Sequence, residues 1–321
     1  MADITIIGAG VAGLWAAWAL TKAGLKPRLI DRNGPPGPHG CSWWAGGMLA
    51  PFCEGALAEP AVIRHGKRAA SAWAEVTPVT PNGTLVVALE RDRGELAQFA
   101  RRTTGHRLLQ ADLPALEPEL RARQALFYAG EAHLDPRRAL GDLVSVLAAQ
   151  GVGIERAECT PAEIPGPVID ARGTASSVPG LRGVRGEMMV LRAPEITLSR
   201  PLRLLHPRHP LYIVPRGDGV FMLGATQIES SDRRAPTARA LLELLSAAYA
   251  LDPRFAEAEV LETGADLRPA FADNVPRIIV QGRVLHLNGL FRHGYLMAPA
   301  LAAQAADYLI HGKKGDLFDA H

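Results

Sequence analysis

A glycine-rich segment near the N-terminus has the residue types and the spacing that bind a nucleotide. Gly8, Gly10 and Gly13 form a Gly-x-Gly-x-x-Gly pattern, and the acidic Asp31 follows it. In such a pattern the first glycine permits a tight turn, the second lets the backbone approach a pyrophosphate, and the third lets a helix pack closely on a strand. Asp31 would accept hydrogen bonds from a ribose diol and repel a 2′-phosphate. The segment therefore predicts an ADP-containing dinucleotide as ligand.

The elements predicted around these glycines would position them at the end of a strand. Apolar runs predict a buried strand over Asp3 to Ile7, a helix over Leu14 to Leu20, and a second strand over Pro27 to Ile30 that ends at Asp31. The N-terminus of the helix would offer free N–H groups and a partial positive charge to the phosphates. Because strand, turn, helix and acid occur in this order, the pattern is much more specific than the glycines alone.

The same alternation of strands and helices recurs later in the chain. Asp135-Pro136 indicates the start of a helix, with the acid as N-cap and proline at the first helical position. A buried strand is predicted at Pro167 to Gly173, another at Val284 to Leu287, and a helix over Tyr295 to Ile310. We therefore expect parallel strand–helix units at the start, in the middle and at the end of the chain.

The stretches between these units differ in character. A helix is predicted over residues 61–75, a strand over Thr84 to Leu89, and antiparallel sheet over residues 187–225, with a hairpin turn at Arg216 to Gly219. We expect a two-domain α/β fold, with a Rossmann-type nucleotide-binding domain and an interleaved substrate domain built on a mixed or antiparallel sheet. The predicted nucleotide-binding domain comprises residues 1–77, 133–186 and 264–321, and the substrate domain comprises residues 78–132 and 187–263.

Composition narrows the class of protein. The chain has 321 residues, 48% of them hydrophobic and 21% charged, which predicts a globular fold. A formal net charge of +2 without a long basic run argues against a nucleic-acid partner. The three cysteines are too few and too scattered for a disulfide framework or a zinc site, and no apolar run is long enough to cross a bilayer. We expect a cytoplasmic protein with no metal and no nucleic-acid or membrane partner.

Further motifs accompany the glycine pattern and are spread over nearly the whole chain. They are Ser42 to Pro51, Tyr212 to Arg216, Gly224-Ala225-Thr226, Gly264 to Pro269 and Gly289 to Pro299. In this order they resemble the D-amino-acid oxidase family of FAD-dependent oxidoreductases, and within it most closely the glycine oxidases of thiamine biosynthesis. The resemblance implies an FAD-binding domain, oxidation of a small amino acid to an imine that water hydrolyses, and reoxidation by O2 to give hydrogen peroxide. It also implies a homo-oligomer.

The resemblance assigns candidate catalytic and substrate-binding residues. Arg268 matches an arginine that pairs with the substrate carboxylate, Tyr212 a tyrosine whose hydroxyl helps to hold it, and Arg292 an arginine beside substrate and flavin. A guanidinium suits this task because two parallel hydrogen bonds fix the plane of a carboxylate and so aim the Cα–H bond at flavin N5. Met48 and Gln227 complete the expected pocket, and Gln227 departs from the apolar residue that glycine oxidases often carry there.

The FAD contacts implied by the resemblance fall in several segments. They are Gly8, Gly10, Val11, Ala12 and Gly13; Asp31 and Arg32; Ser42, Ala45, Gly46, Gly47 and Met48; Ala171 and Gly173; and Arg268, Leu290, Phe291, Arg292, His293, Gly294, Tyr295 and Leu296. The N-terminus of the helix that starts near Gly294 would stabilise negative charge on the reduced flavin. Because no cysteine lies near Arg292 in the sequence, FAD is expected to bind non-covalently.

Other roles for these residues remain open. Arg268 could form a surface ion pair, Tyr212 could simply pack in a strand, and His293 is expected to be packed or hydrogen-bonded rather than a base. Trp43 and Trp44 could flank the flavin or only fill the core. Two functional alternatives also remain: a dehydrogenase of the same fold that passes electrons to a quinone or carrier protein, and a flavin-binding protein without turnover. A NAD-dependent dehydrogenase is disfavoured, because no separate catalytic His–Asp pattern is present.

Overall fold

The computed structural model describes residues 4–208 and 210–319, so Asp3, predicted as the start of the first strand, lies outside the described residues. The strands are β1 Thr5–Ile7, β2 Arg28–Asp31, β3 Met48–Leu49, β4 Thr84–Ala88, β5 Arg107–Leu109, β6 Ala125–Tyr128, β7 Ala132–His133, β8 Ile154–Arg156, β9 Val168–Asp170, β10 Arg182–Arg192, β11 Leu202–Leu205, β12 Leu211–Gly217, β13 Val220–Gly224, β14 Ile228–Glu229, β15 Glu259–Ala270, β16 Arg277–Gln281 and β17 Val284–Asn288. The α-helices are α1 Val11–Lys22, α2 Pro51–Glu54, α3 Pro60–Gly66, α4 Ala69–Ala74, α5 Arg93–Arg102, α6 Leu113–Leu116, α7 Pro136–Ala149, α8 Ala238–Leu251 and α9 Gly294–His311.

A sheet of six strands, in the order β16-β17-β9-β1-β2-β8, carries the glycine turn at the end of β1. All neighbours from β17 to β8 are parallel, and β16 alone runs antiparallel to its neighbour. β1 is buried along its length, because parallel strands in the middle of such a sheet are covered on both faces, and this explains its unbroken apolar run. The predicted parallel strand–helix units are confirmed.

The helices α1 and α9 pack against each other on this sheet and form the centre of its core. Trp15 of α1 meets the edge of Trp73 with 4.9 Å between ring centroids, and Trp73 stacks on Tyr295 at 5.2 Å. The Trp73 indole also donates a hydrogen bond to the Tyr295 carbonyl at 2.7 Å. This aromatic contact anchors the first turn of α9, which lies beside the glycine turn.

The predicted N-cap of α7 is confirmed by its hydrogen bonds. Asp135 Oδ1 accepts from the backbone amides of Arg137 and Arg138 at 2.8 and 3.2 Å, and Pro136 occupies the first helical position. These bonds satisfy two of the amides that a helix leaves unpaired at its start. The cap therefore fixes where α7 begins, directly after the segment Ala132 to Leu134, which pairs with β3 and with Gly47.

The second sheet has nine strands in the order β14-β10-β13-β12-β11-β4-β6-β5, with β15 also paired to β10. The predicted hairpin is confirmed: β12 ends at Gly217 and β13 begins at Val220, and the turn residues Asp218 and Gly219 have positive φ. The antiparallel sheet predicted over 187–225 is confirmed by the pairs β10–β13, β12–β13 and β11–β12, but β11 also pairs in parallel with β4, outside that range. That pair joins segments far apart in sequence, which local spacing does not reveal.

Two further differences concern boundaries. The helix predicted over 61–75 is two helices, α3 and α4, separated by Lys67 and Arg68. The paired strands β10 and β15 run through the predicted domain boundaries at 186/187 and 263/264, so the division into domains stays a prediction. Within the described residues, no helix is both long and apolar enough to cross a membrane.

Candidate active site

Of the three glycines of the Gly-x-Gly-x-x-Gly pattern, Gly8 and Gly10 lie in the turn between β1 and α1, and Gly13 lies in the first turn of α1. Gly8 has a φ of +107°, and a Cβ there would lie 2.5 Å from the Ala171 carbonyl oxygen. A Cβ at Gly13 would lie 1.8 Å from the Gly8 carbonyl oxygen. Both positions therefore require glycine. At Gly10 the atom nearest to a Cβ would be Ser42 Oγ, at 3.4 Å, and this glycine opens on a cavity.

Asp31, at the end of β2, binds the glycine turn directly. Its Oδ2 accepts a hydrogen bond from the Ala9 amide and its Oδ1 one from the Asn33 amide, each at 2.8 Å. Ser42 Oγ accepts a hydrogen bond from the Val11 amide at 3.1 Å and so joins its own segment to the start of α1. Asp31 thus shapes the turn. Each of its carboxylate oxygens can accept a second hydrogen bond, as binding of a ribose diol requires.

A cavity of about 860 Å³ extends from this turn to the second sheet. Apart from Gly13, which lies behind Gly8, all residues predicted to contact cofactor or substrate line it. Among the described residues none accepts a hydrogen bond from the Ala12 amide in the first turn of α1, so this donor is available to a phosphate. The glycine turn, the available Ala12 amide and the volume of the cavity fit a dinucleotide cofactor.

The turn from Leu290 to Leu296 leads from β17 into α9 along this cavity. Phe291 has a φ of +48°, and its amide donates a hydrogen bond to the Pro269 carbonyl of β15 at 2.8 Å. The Tyr295 hydroxyl donates to the Ser42 carbonyl at 3.0 Å. Three of the segments predicted to contact the cofactor are therefore held against one another by hydrogen bonds.

Trp43 and Trp44 line the cavity and also pack against protein groups. The Arg137 guanidinium lies over both rings, 4.7 Å from the centroid of Trp43 and 5.4 Å from that of Trp44. A Cβ at Gly264 would lie 2.2 Å from Trp44 Cε3, so this glycine makes room for the ring. Packing is thus one role of both tryptophans, and a contact with the flavin stays a prediction.

Arg268 is a cation in the cavity wall. Its Nη1 donates a hydrogen bond to the Thr226 carbonyl at 3.0 Å, and among the described residues no acid forms an ion pair with it. A Cβ at Gly186 of β10 would lie 2.2 Å from Arg268 Nη2, so the missing side chain makes room for the guanidinium. A guanidinium has five N–H donors, and those that remain can bind an anionic group in the cavity.

The ring of Tyr212 lies between two glycines. A Cβ at Gly46 would lie 2.9 Å from Tyr212 Cε2, and one at Gly224 of β13 would lie 3.1 Å from the same atom. The hydroxyl makes no hydrogen bond with any described residue. Tyr212 is therefore packed at its ring, and its hydroxyl is available to a ligand, since Tyr212 also lines the cavity.

Arg292 is paired, in contrast to Arg268, with an acid that the sequence analysis did not identify. Glu54 Oε2 lies 2.5 Å from Arg292 Nη2 and 3.6 Å from His293 Nδ1, and Glu54 Oε1 lies 3.3 Å from Arg203 Nη1. Glu54 ends α2, whose first residue is Pro51. The helix-starting proline was the one local signal. The cationic partners of Glu54 lie far away in the sequence.

The charges of Glu54 and His293 follow from their burial and from the groups that they contact. Burial opposes ionisation of Glu54, but Arg292 and its neighbours outweigh that effect and lower the pKa of Glu54 to about 2. Burial lowers the pKa of His293 to about 4, despite the opposing effect of Glu54. At neutral pH the acid is ionised and the histidine neutral. His293 is thus neutral and buried beside a carboxylate, and the expectation that it is packed or hydrogen-bonded rather than a base stays a prediction.

The remaining predicted pocket residues differ in exposure. Met48 is half-buried in β3, whereas Gln227 is exposed at the cavity wall. Cys41 also reaches the cavity, and burial raises the pKa of its thiol to about 12, so it is not a thiolate. Among the described residues no group of three or more His, Cys, Asp or Glu side chains could hold a metal ion.

The chain is similar to known proteins over nearly its whole length. Residues 3–308 match the family model described as FAD dependent oxidoreductase, DAO. The chain is 50% identical over 315 residues to a putative thiamine biosynthesis oxidoreductase, ThiO, of Rhizobium etli, and the match covers 96% of each protein. It is 28% identical over 355 residues to a glycine oxidase of Pseudomonas aeruginosa, covering 95% of this chain and 94% of the relative.

Solved structures share the fold. The glycine oxidase from Geobacillus kaustophilus matches with a TM-score of 0.82 at 20% identity, and the iminodiacetate oxidase from Chelativorans sp. BNC1 with 0.80 at 23% identity. Each match covers 98% of this chain and 96% of the other. The likeness to these structures shows a two-domain α/β fold, and a dinucleotide fits at the glycine turn. The family match over residues 3–308 and the 50% identity over 96% of both proteins show that this chain belongs to the DAO family of FAD-dependent oxidoreductases.

Proposed function

We propose that this chain oxidises glycine, or another small amino acid of the D- or N-methyl type, and that its product serves thiamine biosynthesis. The observation that carries the proposal is Arg268, a guanidinium in the wall of the cavity that begins at the glycine turn, with no acidic partner within residues 4–208 and 210–319. A carboxylate is the group that such a guanidinium binds best. The identity with the ThiO protein of Rhizobium etli supports the thiamine role, and the glycine oxidases among the relatives support the substrate class.

The residues that would hold FAD lie on the cavity wall. Gly8 to Ala12 would contact the pyrophosphate, Asp31 the ribose, and the segments Ala45 to Met48 and Leu290 to Leu296 the ring system. When bound, FAD supplies the acceptor for the hydride that leaves the α-carbon and passes the electrons to O2, which forms hydrogen peroxide. Since Cys41 stays a thiol, we expect the cofactor to dissociate on denaturation, so that acid precipitation leaves all yellow colour in the supernatant.

The chain's own residues would bind and orient the substrate. Arg268 would hold the carboxylate by two parallel hydrogen bonds, and the Tyr212 hydroxyl would donate a third. This fixes the direction of the Cα–H bond, which is the main requirement for hydride removal. Exclusion of water from the cavity would favour the uncharged amine, whose lone pair forms the C=N bond of the imine as the hydride leaves. Water then adds to the imine, and ammonia leaves, or methylamine where the substrate is an N-methyl amino acid.

A substrate screen tests this proposal. Purified holoprotein is supplied with glycine, sarcosine, D-alanine and iminodiacetate, and both oxygen consumption and peroxide are measured. We expect turnover with at least one small amino acid and one peroxide for each O2 consumed. Turnover with an artificial electron acceptor but little peroxide would instead support the dehydrogenase alternative. No turnover with any of the four would contradict the proposal. Homo-oligomerisation and a cytoplasmic location stay predictions.

A further inference from the structure

Arg216 is the last residue of the Tyr212 to Arg216 motif. The proposed reaction assigns no role to it. Arg216 lies in β12, half-buried, and lines a second, smaller cavity that Leu134 also lines. Among the described residues no acid forms an ion pair with it. Burial lowers the pKa of Arg216 to about 10, so it stays protonated at neutral pH. A cation in this position must be compensated by other groups.

Backbone carbonyls of two segments compensate this charge. Arg216 Nη2 donates to the Gly46 carbonyl at 2.8 Å and to the Ala45 carbonyl at 3.4 Å. Its Nη1 donates to the Leu134 carbonyl at 3.3 Å, and the Leu134 amide in turn donates to the Gly47 carbonyl at 3.0 Å. Arg216 therefore joins the 45–47 loop to the segment before α7.

The side chain of Tyr212 holds the same loop from the other end of β12. Its ring packs against Gly46, where a Cβ would lie 2.9 Å away, while Arg216 binds the Gly46 carbonyl. Gly47 is equally confined, since a Cβ there would lie 2.2 Å from the Leu134 carbonyl oxygen. One strand thus fixes Gly46 through both a packing contact and a hydrogen bond.

The peptide bonds of the loop are oriented as a consequence. In a trans peptide the C=O and the following N–H point in opposite directions. Because the carbonyls of Ala45 and Gly46 point at Arg216, the amides of Gly46 and Gly47 point away from it. Both glycines are buried and line the large cavity, and neither amide has an acceptor among the described residues. Buried amides without an acceptor are rare in proteins and indicate a missing partner.

We propose that Arg216 is a positioning residue that directs the Gly46 and Gly47 amides into the cavity, where they donate hydrogen bonds to the ring system of FAD. The guanidinium does not touch the cofactor. It acts through two peptide units and adds a fixed positive charge behind them. The proposal rests on the proposed placement of the loop against FAD, but it does not depend on which amino acid is oxidised.

Hydrogen exchange tests the proposal in the wild-type protein. Apoprotein and FAD-loaded protein are compared by exchange with single-residue resolution. We expect FAD to slow exchange at Gly46 and Gly47 at least tenfold, and to slow the Ala12 amide as well. Unchanged exchange at both glycines in a protein that protects Ala12 would overturn the proposal, because the cofactor would then be bound without these donors.

Two variants test the role of Arg216 itself. Arg216→Met removes the donors at similar length, Arg216→Lys keeps the charge, and Arg101→Met on the exposed face of α5 is the matched control. We expect the methionine variant to bind FAD at least tenfold more weakly, with a flavin absorption spectrum closer to that of free FAD, and the lysine variant to be intermediate. A folded Arg216→Met with wild-type affinity and spectrum would overturn the proposal.

The readouts also separate this proposal from the proposed function. FAD affinity, absorption and amide exchange are measured without substrate, so failure to oxidise glycine would not alter them. If Arg216→Met does not fold, the lysine variant decides: wild-type protection of the Gly46 and Gly47 amides together with wild-type affinity would contradict the need for the planar guanidinium. Loss of protection at these glycines with Ala12 still protected would support it.

Discussion

Glu54 Oε2 lies 2.5 Å from Arg292 Nη2. The two residues are 238 positions apart in the sequence, and both line the same cavity. Arg292 therefore has an acidic partner, which it shares with Arg203, whereas among the described residues Arg268 has none. The two arginines that the family resemblance places beside the substrate thus differ in what they can do. Arg268 is available to a carboxylate, whereas Arg292 is held by Glu54, and its place beside substrate and flavin stays a prediction.

Replacing Arg268 should remove the binding site of the substrate carboxylate. We expect Arg268→Met to raise the apparent KM for the best substrate about 100-fold, since a paired charge-assisted hydrogen bond contributes about 3 kcal/mol. Initial rates of oxygen consumption over a range of substrate concentrations measure the change. Arg101→Met is the surface control and should leave KM unchanged. An unaltered KM in Arg268→Met would show that the carboxylate binds elsewhere.

Glu54→Gln should destabilise the protein, because it leaves Arg203 and Arg292 without their shared acid. We expect a loss of about 3 kcal/mol in the free energy of unfolding at pH 7, as for other broken buried ion pairs. Urea unfolding measures it. Glu75→Gln, which breaks the exposed pair with Lys22, is the control and should cost less than about 1 kcal/mol.

The same variant has a pH signature. The pKa of Glu54 is lowered from 4.5 to about 2 in the folded protein, so its stabilisation is present above pH 4.5 and is lost as the pH falls through about 2. The difference in stability between wild type and Glu54→Gln should therefore shrink as the pH is lowered below 4.5. A difference that stays constant down to pH 3 would contradict the assigned ion pair.

Glu131 should show the opposite pH dependence. It is 1% exposed, its Oε1 accepts a hydrogen bond from the Cys53 amide at 2.7 Å, and its Oε2 has no partner among the described residues. Burial raises its pKa from 4.5 to about 7, although the Cys53 bond favours the charged form. The stabilisation that the neutral acid provides is therefore complete below pH 4.5 and is lost as the pH rises through about 7.

Glu131→Gln imitates the neutral acid and tests this assignment. Between pH 5 and pH 9 the wild type should lose about 3 kcal/mol of stability relative to the variant. Thermal unfolding followed over this range gives the difference, and Glu59→Gln, at an exposed position, serves as the control. Parallel curves for wild type and Glu131→Gln would show that the carboxyl does not titrate in this range.

Gly13→Ala should prevent formation of the nucleotide-binding turn. The added Cβ would lie 1.8 Å from the Gly8 carbonyl oxygen, so α1 would have to move away from β1. We expect loss of FAD from the purified protein and a lower melting temperature. Gly141→Ala in α7 is the matched control: a Cβ there meets nothing within 4 Å, so the change should stabilise the helix by about 0.5–1 kcal/mol. Normal FAD content in Gly13→Ala would contradict the packing.

Local signals in the sequence were sufficient for the glycine turn and for the N-cap of α7. Gly8, Gly13 and Asp31 act within one strand–helix–strand unit, and Asp135 caps its own helix, so spacing alone identifies them. Glu54 was missed because its partners come from β11 and the turn before α9, and only the folded chain brings them together. The parallel pairing of β11 with β4 was missed for the same reason.

Arg268 and Tyr212 are intermediate between the residues that local sequence identifies and those that only the folded chain reveals. Nothing in their immediate sequence distinguishes them from surface or packed residues, and only the family resemblance singled them out. The structure adds that Gly186 makes room for the Arg268 guanidinium and that Gly46 and Gly224 make room for the Tyr212 ring. These long-range contacts with glycines, like the one between Arg216 and the Gly46 carbonyl, leave no signal in local composition.

Anaerobic reduction of the bound flavin tests the proposed function most directly. Holoprotein free of oxygen is mixed with glycine, sarcosine or D-alanine while the flavin absorbance near its visible maximum is recorded, and Arg268→Met is treated in the same way. Our account predicts that at least one of these amino acids bleaches the wild-type flavin, with much slower or weaker bleaching in the variant at equal concentration, and that admitting O2 restores the colour. A wild-type flavin that stays fully oxidised with all three, or equal bleaching in the variant, would contradict it.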